Sequence, residues 1–563
     1  MLGFLPPETW RFETFTLLVI FTIGYSSFLI EDMKNDKKVS AVLGSLIYVL
    51  GAASCIYLFI EIPRLEWTFG SVWTLWDIFF GTVMVVALLD LTRRSFGWAL
   101  PIVALIFLSY ALFGHLLPEG FFNHTGFAYD RTISFLFGPG GIFGIVLKTF
   151  VSIIFIFMIF GTFLEKSGVG DFLVNLSFAA AGKRRGGPAK IAVMSSAVLG
   201  SVNGNSVANV ATTGSITIPL MKKTGYSPSF AGGVEAAAST GGQILPPVMG
   251  AGAFIMAEFL QIDYKEIVYA AIIPATLYFL CLYFIVDLEA VKKNLKGLIE
   301  TPSLIKLLKK AYLLIPLGVL LYALLVANLS VARSGFYAIV VCVIVSWLTK
   351  DNKMGPKRLA ETIAKGTKAT IGIGAMCGAA GIVIGTVSMT GFGNQFSSVV
   401  VNLAGDSVMI VAIFTALISI ILGMGLPTTA AYVISMSVAV PALVALDIPS
   451  LSAHLFVFYF AVVSAITPPI GAAFYTGAAI AEANIMKTGM QAVRVGIVAF
   501  TVPFFFIFNP ILLLDGSVTE IILAVATASI GIAAISMALQ RISFRGINLF
   551  VWQSILLGIS FIL

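Results

Sequence analysis

Charge is what this sequence has least of. Asp, Glu, Lys and Arg make up 11% of its 563 residues, against 59% hydrophobic residues. A water-soluble chain of this length carries roughly 25% charged residues, so a solvated globular surface is excluded. Histidine is nearly absent, with three copies, and cysteine occurs four times, at Cys55, Cys281, Cys342 and Cys377. Each cysteine stands alone in an apolar run and no CxxC is present, so neither a disulfide frame nor a thiolate metal site is supported. The chain has no HExxH and no GxxxxGK[ST], which removes the zincin and P-loop readings. No cluster of His, Asp or Glu offers itself for chemistry, so a membrane enzyme is disfavoured. The start, Met1 to Phe12, has Glu8 and no basic stretch before a small-residue cleavage site, and reads as retained.

What is present is apolar length. Stretches of about 17 to 25 residues recur along the whole chain, each able to cross a hydrocarbon layer of ~30 Å. In that solvent the backbone must satisfy itself, which predicts an all-α polytopic membrane protein. The formal charge of +7 sits in short loops between the spans. That pattern follows the positive-inside rule and does not point to nucleic acid. The first block holds spans at 14–30, 39–60, 71–91 and 96–114. Lys34–Lys38 and Arg93–Arg94 are its basic segments, which places the N-terminus outside. Leu116 to Thr132, with Pro, Gly, Asn and charge together, is the domain boundary, giving a first domain over 1–130.

The second block starts with a span at 143–165 and a semi-polar stretch ending at Lys183-Arg184-Arg185. Gly200 to Pro219, GSVNGNSVANVATTGSITIP, is apolar at both flanks and polar in the middle, and it returns to Lys222-Lys223. Basic clusters on both sides predict a re-entrant hairpin, tolerated only where its backbone is buried or lines a cavity. The run 228–259 is interrupted by GGQILPP, Gly241 to Pro247. Two prolines without donors and two glycines predict a helix broken near mid-membrane, or at least kinked. Spans at 266–286, 311–328, 334–349 and 369–388 follow, with basic loops at Lys292–Lys310 and Lys350–Arg358. Lys353–Lys368 is also compatible with an amphipathic surface helix. Three more spans lie beyond 489, for about fourteen crossings and two hairpins in all.

The most informative feature is internal. Shifted by 222 positions, Pro219 falls on Pro441, Ile244 on Ile466, and Pro246-Pro247 on Pro468-Pro469, without a gap. Ser206 meets Thr428 in the same register. The second copy reads LGMGLPTTAAYVISMSVAVP and then SAITPPIGAAF. Its flanking loops carry Asp406 and Asp447 where the first copy has Arg184 and Lys222. An odd number of crossings between the copies inverts the second, so 143–259 and 365–484 form an inverted repeat. Inverted repeats with discontinuous helices mark secondary transporters. Half-helix N-termini suit an anion, and unwound carbonyls with Ser/Thr hydroxyls suit Na⁺. Hairpin asparagines could equally cap half-helices. Glu235 reads as a solvated or salt-bridged residue or as a coupling group. Asp77 and Asp90 read as partners of neighbouring helices.

At these residues the chain resembles the large permease subunit of tripartite ATP-independent periplasmic (TRAP) transporters. GSVNGNSVANVATTGSITIPLM and GGQILPPVMGAGAFIMAEF look like the TAXI-type branch, in which the small and large membrane subunits are fused. The likeness is strongest over 140–485. It implies a large permease domain over 131–515, a small-subunit-like domain before it, and extra helices over 516–563. It further implies a bacterial inner-membrane importer working with an extracytoplasmic TAXI-type substrate-binding protein. Such an importer uses a Na⁺ gradient and an elevator motion to carry organic anions, dicarboxylates such as glutamate or 2-oxoglutarate. Carried over by the resemblance, one Na⁺ site draws on Ser201, Asn203, Gly204, Gly241 and Gly242. The other draws on Gly423, Gly425, Thr428, Ser464 and Thr467. The substrate would lie between the tips, against Asn205, Ser206, Asn209, Thr213, Pro427, Thr428, Thr429 and Tyr432. The alternative is a stand-alone inverted-repeat Na⁺/anion symporter without a binding protein.

Overall fold

The computed structural model describes residues 9–35, 38–67, 73–118, 120, 122–349, 352–405 and 407–562. Met1–Glu8, Lys37, Lys350 and Asp406, used above as retained start or topology signals, lie outside the described residues. Among the described residues the chain forms helices and no strand beyond a single bridge between Ile542 and Asn548. Nine helical stretches there are long and apolar enough to cross a membrane.

The first four helices are α1 (Thr9–Lys34), α2 (Lys38–Trp67), α3 (Leu75–Phe96) and α4 (Ala99–Phe113). Two aspartates anchor most of the charge pairing there. Asp77 accepts from Arg64, Tyr57 and Thr74, and Asp90 from Arg93, Arg94 and Tyr25. Both aspartates therefore tie neighbouring segments together, as isolated charges in a membrane must be tied.

After an irregular link come α5 (Tyr129–Leu136), α6 (Ile145–Thr149) and α7 (Phe155–Ser167), the last two joined by a π-helical turn at Phe150–Ile154. Next are α8 (Val169–Ala181), α9 (Gly187–Asn203), α10 (Ser206–Lys223), α11 (Pro228–Gly241) and α12 (Ala251–Leu260). α13 (Tyr264–Lys292), α14 (Leu304–Leu308), α15 (Ile315–Leu321) and α16 (Val331–Ser346) connect to α17 (Pro356–Thr390). The second copy comprises α18 (Phe392–Ala404), α19 (Val408–Gly423), α20 (Thr428–Val444), α21 (Ser450–Val463) and α22 (Ala472–Ala481). The chain closes with α23 (Ile485–Val495), α24 (Val498–Phe508), α25 (Val518–Gln540) and α26 (Val551–Ile562).

Of the segment 353–368, compatible above with an amphipathic surface helix, residues 356–368 form the first part of α17, one helix of 35 residues. Pro356 occupies its first turn and no second proline follows, so the helix runs unbroken from the basic part into the apolar part. At 1.5 Å per residue it runs about 50 Å, longer than the hydrocarbon layer, so its basic end projects beyond it. There Lys365 meets Glu165 at 2.7 Å. Further along, Gly374 faces Ile20 and Phe150, Gly378 faces Leu88, and Gly381 faces the Gly141 carbonyl. This small-residue seam brings α17 close to the first helices, as small residues do between membrane helices.

The inversion can be read from contacts alone. The base of the hairpin α9–α10 carries Lys222, whose ammonium donates to the Ala481 carbonyl at the end of α22, 2.8 Å away. At the opposite end, Phe259 in the last turn of α12 lies on His454 near the start of α21, with ring centroids 5.3 Å apart. Each broken helix thus ends beside the base of the other copy's hairpin, so the two copies run in opposite senses.

Candidate functional site

Both hairpin tips are built by the same local chemistry. α9 stops where Gly204 takes a left-handed φ of +61°, and Asn205 caps α10 by accepting from the Ala208 amide at 3.1 Å. In the second hairpin Gly425 takes φ +73° and Pro427 precedes α20. The broken helices match as well. α11 ends in a 3₁₀ turn at Gly242–Ile244, and α21 in one at Ser464–Ile466. The Pro246–Pro247 and Pro468–Pro469 peptide bonds are both cis. The chain resumes as α12 at Ala251 and as α22 at Ala472.

These four restarts converge. Ser206, Ala251, Thr428 and Ala472, the first residues of α10, α12, α20 and α22, all line one cavity of about 430 Å³. Each helix start leaves amide donors unused by the helix and carries a partial positive charge. α12, α20 and α22 have no side-chain cap, so their first-turn amides are not taken by a side chain of the helix start. The rest of the lining is neutral. Asn203, Asn205, Gln243 and Thr429 supply polarity, and Phe96, Phe157, Phe254 and Met376 form apolar wall from α3, α7, α12 and α17. Among the described residues, no Lys, Arg, Asp or Glu lines it.

Of the residues named for the substrate, Asn205, Ser206, Pro427, Thr428 and Thr429 line this cavity. Asn209, Thr213 and Tyr432 do not line it. Asn209 is fully buried and donates to the Ser196 carbonyl at 2.8 Å. Thr213 is turned toward Glu235. Tyr432 is fully buried, with its hydroxyl on His454 at 2.8 Å. Of the residues named for Na⁺, Asn203, Gly204, Gly425 and Thr428 line the cavity. The carbonyl of Ser201 accepts from the amides of Val248 and Met249. The Asn203 side-chain oxygen accepts from the Asn205 amide at 3.3 Å. Gly241 packs under the Tyr278 ring, and Gly242 abuts the backbone of Gly200. In the second copy Ser464 donates to the Gly423 carbonyl at 3.1 Å, and Thr467 to Val463.

Sequence reasoning passed over Gln243 and Thr240. Gln243 lines the cavity with its side-chain oxygen buried and unpartnered, as are those of Asn209 and Thr240. Gln243 lies inside GGQILPP, and a polar side chain within a broken-helix signature was the available signal. Glu235 also differs from its reading as a solvated or salt-bridged residue. It is fully buried, and its polar partners are the hydroxyls of Ser196, Thr213, Thr217 and Ser239. Packing of α11 against both arms of the first hairpin closes it off from water and from every basic side chain that could pair with it.

The class these features define is an all-α, multi-pass membrane protein built on two opposed hairpin-and-broken-helix units around a shared cavity. Residues 83–521 match the family described as "Tripartite ATP-independent periplasmic transporter, DctM component". The chain belongs to this family of transporter permeases, which is not a family of enzymes. It is 33% identical over 119 residues to the "C4-dicarboxylate TRAP transporter large permease protein DctM" of Pseudomonas aeruginosa, covering 20% of this chain and 28% of that protein. It is 33% identical over 91 residues to the "Uncharacterized protein YgiK" of Salmonella typhimurium, 16% of this chain and 21% of the relative. An equal identity over 91 residues relates it to the "Isethionate TRAP transporter permease protein DctMQ" of Oleidesulfovibrio alaskensis, 16% and 14% of the two chains. The aligned stretches thus span less than a third of these relatives' lengths. The solved structure of Neisseria gonorrhoeae MtrF, described with a class of antimetabolite efflux pumps, superposes with TM-score 0.50 at 12% identity. It covers 74% of this chain and 96% of the other, a likeness of fold.

Proposed function

We propose that this protein is the membrane permease of a binding-protein-dependent importer of small organic anions, dicarboxylates among them, driven by Na⁺. The observation that carries the reading is the convergence of four helix N-termini on a neutral cavity between the two hairpin tips. An anion there gains from backbone amides and helix dipoles, with no fixed cation to hold it too firmly for release. Unwound backbone and hydroxyls at the same tips suit Na⁺, which prefers oxygen ligands at such breaks. The names of the relatives, C4-dicarboxylate permeases among them, support the substrate class. The fused first helices and the hairpin motifs support the TAXI-type branch, and with it glutamate or 2-oxoglutarate as cargo and an extracytoplasmic binding protein as partner. Alternating access is by an elevator in which both hairpins and both broken helices move together against the remaining helices.

The test is uptake of radiolabelled dicarboxylates by proteoliposomes carrying the purified chain, with and without a Na⁺ gradient and with and without the cognate binding protein. Uptake that needs both is expected. Uptake indifferent to Na⁺ overturns the coupling. Uptake without the binding protein supports the stand-alone symporter instead.

A further inference from the structure

Glu235 is a buried acid that the reading above leaves without a task. It lies on α11 with no exposed surface, held between the two arms of the first hairpin. Ser196 of α9 donates to its Oε1 at 2.5 Å. Thr213 and Thr217 of α10 bond Oε1 and Oε2 respectively, and Ser239, one turn along α11, reaches Oε1 at 3.3 Å. Gly214 leaves the room the side chain needs, since a methyl group there would stand 3.0 Å from the glutamate Cγ.

The internal repeat supplies a control within the molecule. Shifted by 222, Glu235 falls on Val457, and Ser196, Thr217 and Ser239 fall on Ile418, Ala439 and Ala461. Only Thr213 keeps a hydroxyl, as Ser435, which bonds the Ser419 carbonyl. The second copy builds the same hairpin and broken helix with an apolar centre. The fold therefore does not require a carboxyl at this place. An acid in the membrane interior that the architecture can do without points to a function.

No charged partner fixes its state. On the elements packed against α11, Lys190 of α9 is taken by Asp287 of α13 at 2.6 Å. Lys222 and Lys223 lie in the last turn of α10, and Glu289 of α13 is paired with Lys293. His454 of α21 is bonded to Tyr432, and Glu482 follows the end of α22. Arg494 of α23 is on Gln540, and Lys487 is in that helix's first turn. None of them pairs with Glu235.

The hydroxyl cage fits either charge state. The two threonine hydroxyls each have one hydrogen and more than one acceptor within reach. Thr217 can donate to Oε2 or to the Thr213 carbonyl at 3.0 Å, and Thr213 to Oε1 or to the Asn209 carbonyl at 2.7 Å. As a carboxylate, Glu235 receives all four hydrogens. When a proton arrives, an O–H bond forms at Oε2 and donates to the Thr217 oxygen. Thr217 then turns its own hydrogen to the Thr213 carbonyl, and no partner is lost. Asn205 and Asn209 continue this face of α10, four residues apart, up to the cavity.

We propose that Glu235 is an occluded, reversible proton-binding site whose charge sets how tightly the first hairpin is held to the broken helix behind it. Bonds to a carboxylate are stronger than bonds to a neutral acid. Deprotonation clamps α9 and α10 to α11, and protonation loosens them. The cavity site and the proton site then meet in one moving element.

Two measurements on the full chain in lipid nanodiscs test this, and neither needs a substrate. The first follows the infrared carbonyl stretch of neutral carboxylic acid as pH is varied. A titrating band present in the wild type and missing from Glu235→Gln is expected, with its midpoint moved in Thr217→Val. The second follows hydrogen exchange of the Ser206–Lys223 segment, with wild type and Glu235→Gln compared at each pH. Wild-type protection should fall about tenfold on acidification, as expected for weakening about one charged hydrogen bond, and the variant should show the lower value throughout. A band that does not titrate, or exchange equal in the two proteins at every pH, overturns the proposal. Failure of Na⁺-driven uptake leaves both readouts intact, so the two readings fail separately.

Discussion

Single residues decide where this structure can yield. The family resemblance puts Gly242 in an ion site, and its closest neighbour proves to be backbone. A methyl group on Gly242 would lie 2.5 Å from the Gly200 Cα, where α9 crosses the break. Gly242→Ala should therefore destabilise the fold by about 1–3 kcal/mol, seen as a lower midpoint of thermal unfolding in detergent. Asp287 is a second such point. It binds Arg185 at 2.5 Å and the buried Lys190 at 2.6 Å. Asp287→Ala strands the Lys190 charge and should cost about 3–5 kcal/mol. Adding Lys190→Met should recover part of that loss, which the same unfolding measurement reads. Ser206 and Thr428 open the two half-helices that face the cavity. Ser206→Ala and Thr428→Ala should each weaken the Na⁺ dependence of uptake by about tenfold, equivalent to ~1.4 kcal/mol, while membrane insertion persists. Unchanged Na⁺ response in both variants would remove Thr428 from the ion site and uncouple Ser206, read above for the substrate, from Na⁺ binding.

At the level of elements, the hairpins and broken helices were legible because their punctuation is chemical. Glycine at a left-handed tip and paired prolines at a break leave marks in any sequence, and here the marks recur 222 positions apart. The extent of α17 was not legible. Its basic first third and its glycine-rich apolar remainder differ both in solvent preference and in helix propensity, so composition suggested two elements where packing against its neighbours keeps one. Side-chain direction around the hairpins was equally hidden. Asn209 and Thr213 share the polar character of Asn205 and Ser206, yet one helical turn carries them from the cavity to the packed face toward α9 and α11. The opposed sense of the two copies makes a prediction at this scale. The four native cysteines are buried and so are a quiet background. A cysteine replacing Lys223 should react with a membrane-impermeant maleimide only from the cytoplasm, and one replacing Asp447 only from outside. Labelling of both from one side would contradict the inversion.

For the whole molecule, the question is what moves against what. The tip of the second hairpin rests on the first block: a methyl group at Gly425 would lie 3.7 Å from the Ala99 Cβ at the start of α4. That separation matches the Cβ spacing of a disulfide. Cysteines at both positions should cross-link on oxidation, although Gly425 has φ +73° and a side chain there carries some strain. If the hairpins travel as a body relative to α1–α4, oxidation should abolish uptake and reduction restore it. Full uptake in the cross-linked protein would mean that this contact persists through the cycle and that the elevator proposal is wrong in its moving parts.

The neutral lining of the cavity has an electrical consequence. Among the described residues the wall holds no fixed charge, so the wall itself adds nothing to the current when the cavity's contents change sides, and Glu235 behind it counts only through a proton carried across. The signal recorded under voltage clamp would then be the arithmetic of the passengers. An anion escorted by as many sodium ions as it has negative charges crosses in silence, and each sodium ion beyond that number registers as inward positive current. Stoichiometry could thus be read from the reversal potential, without counting ions in any site.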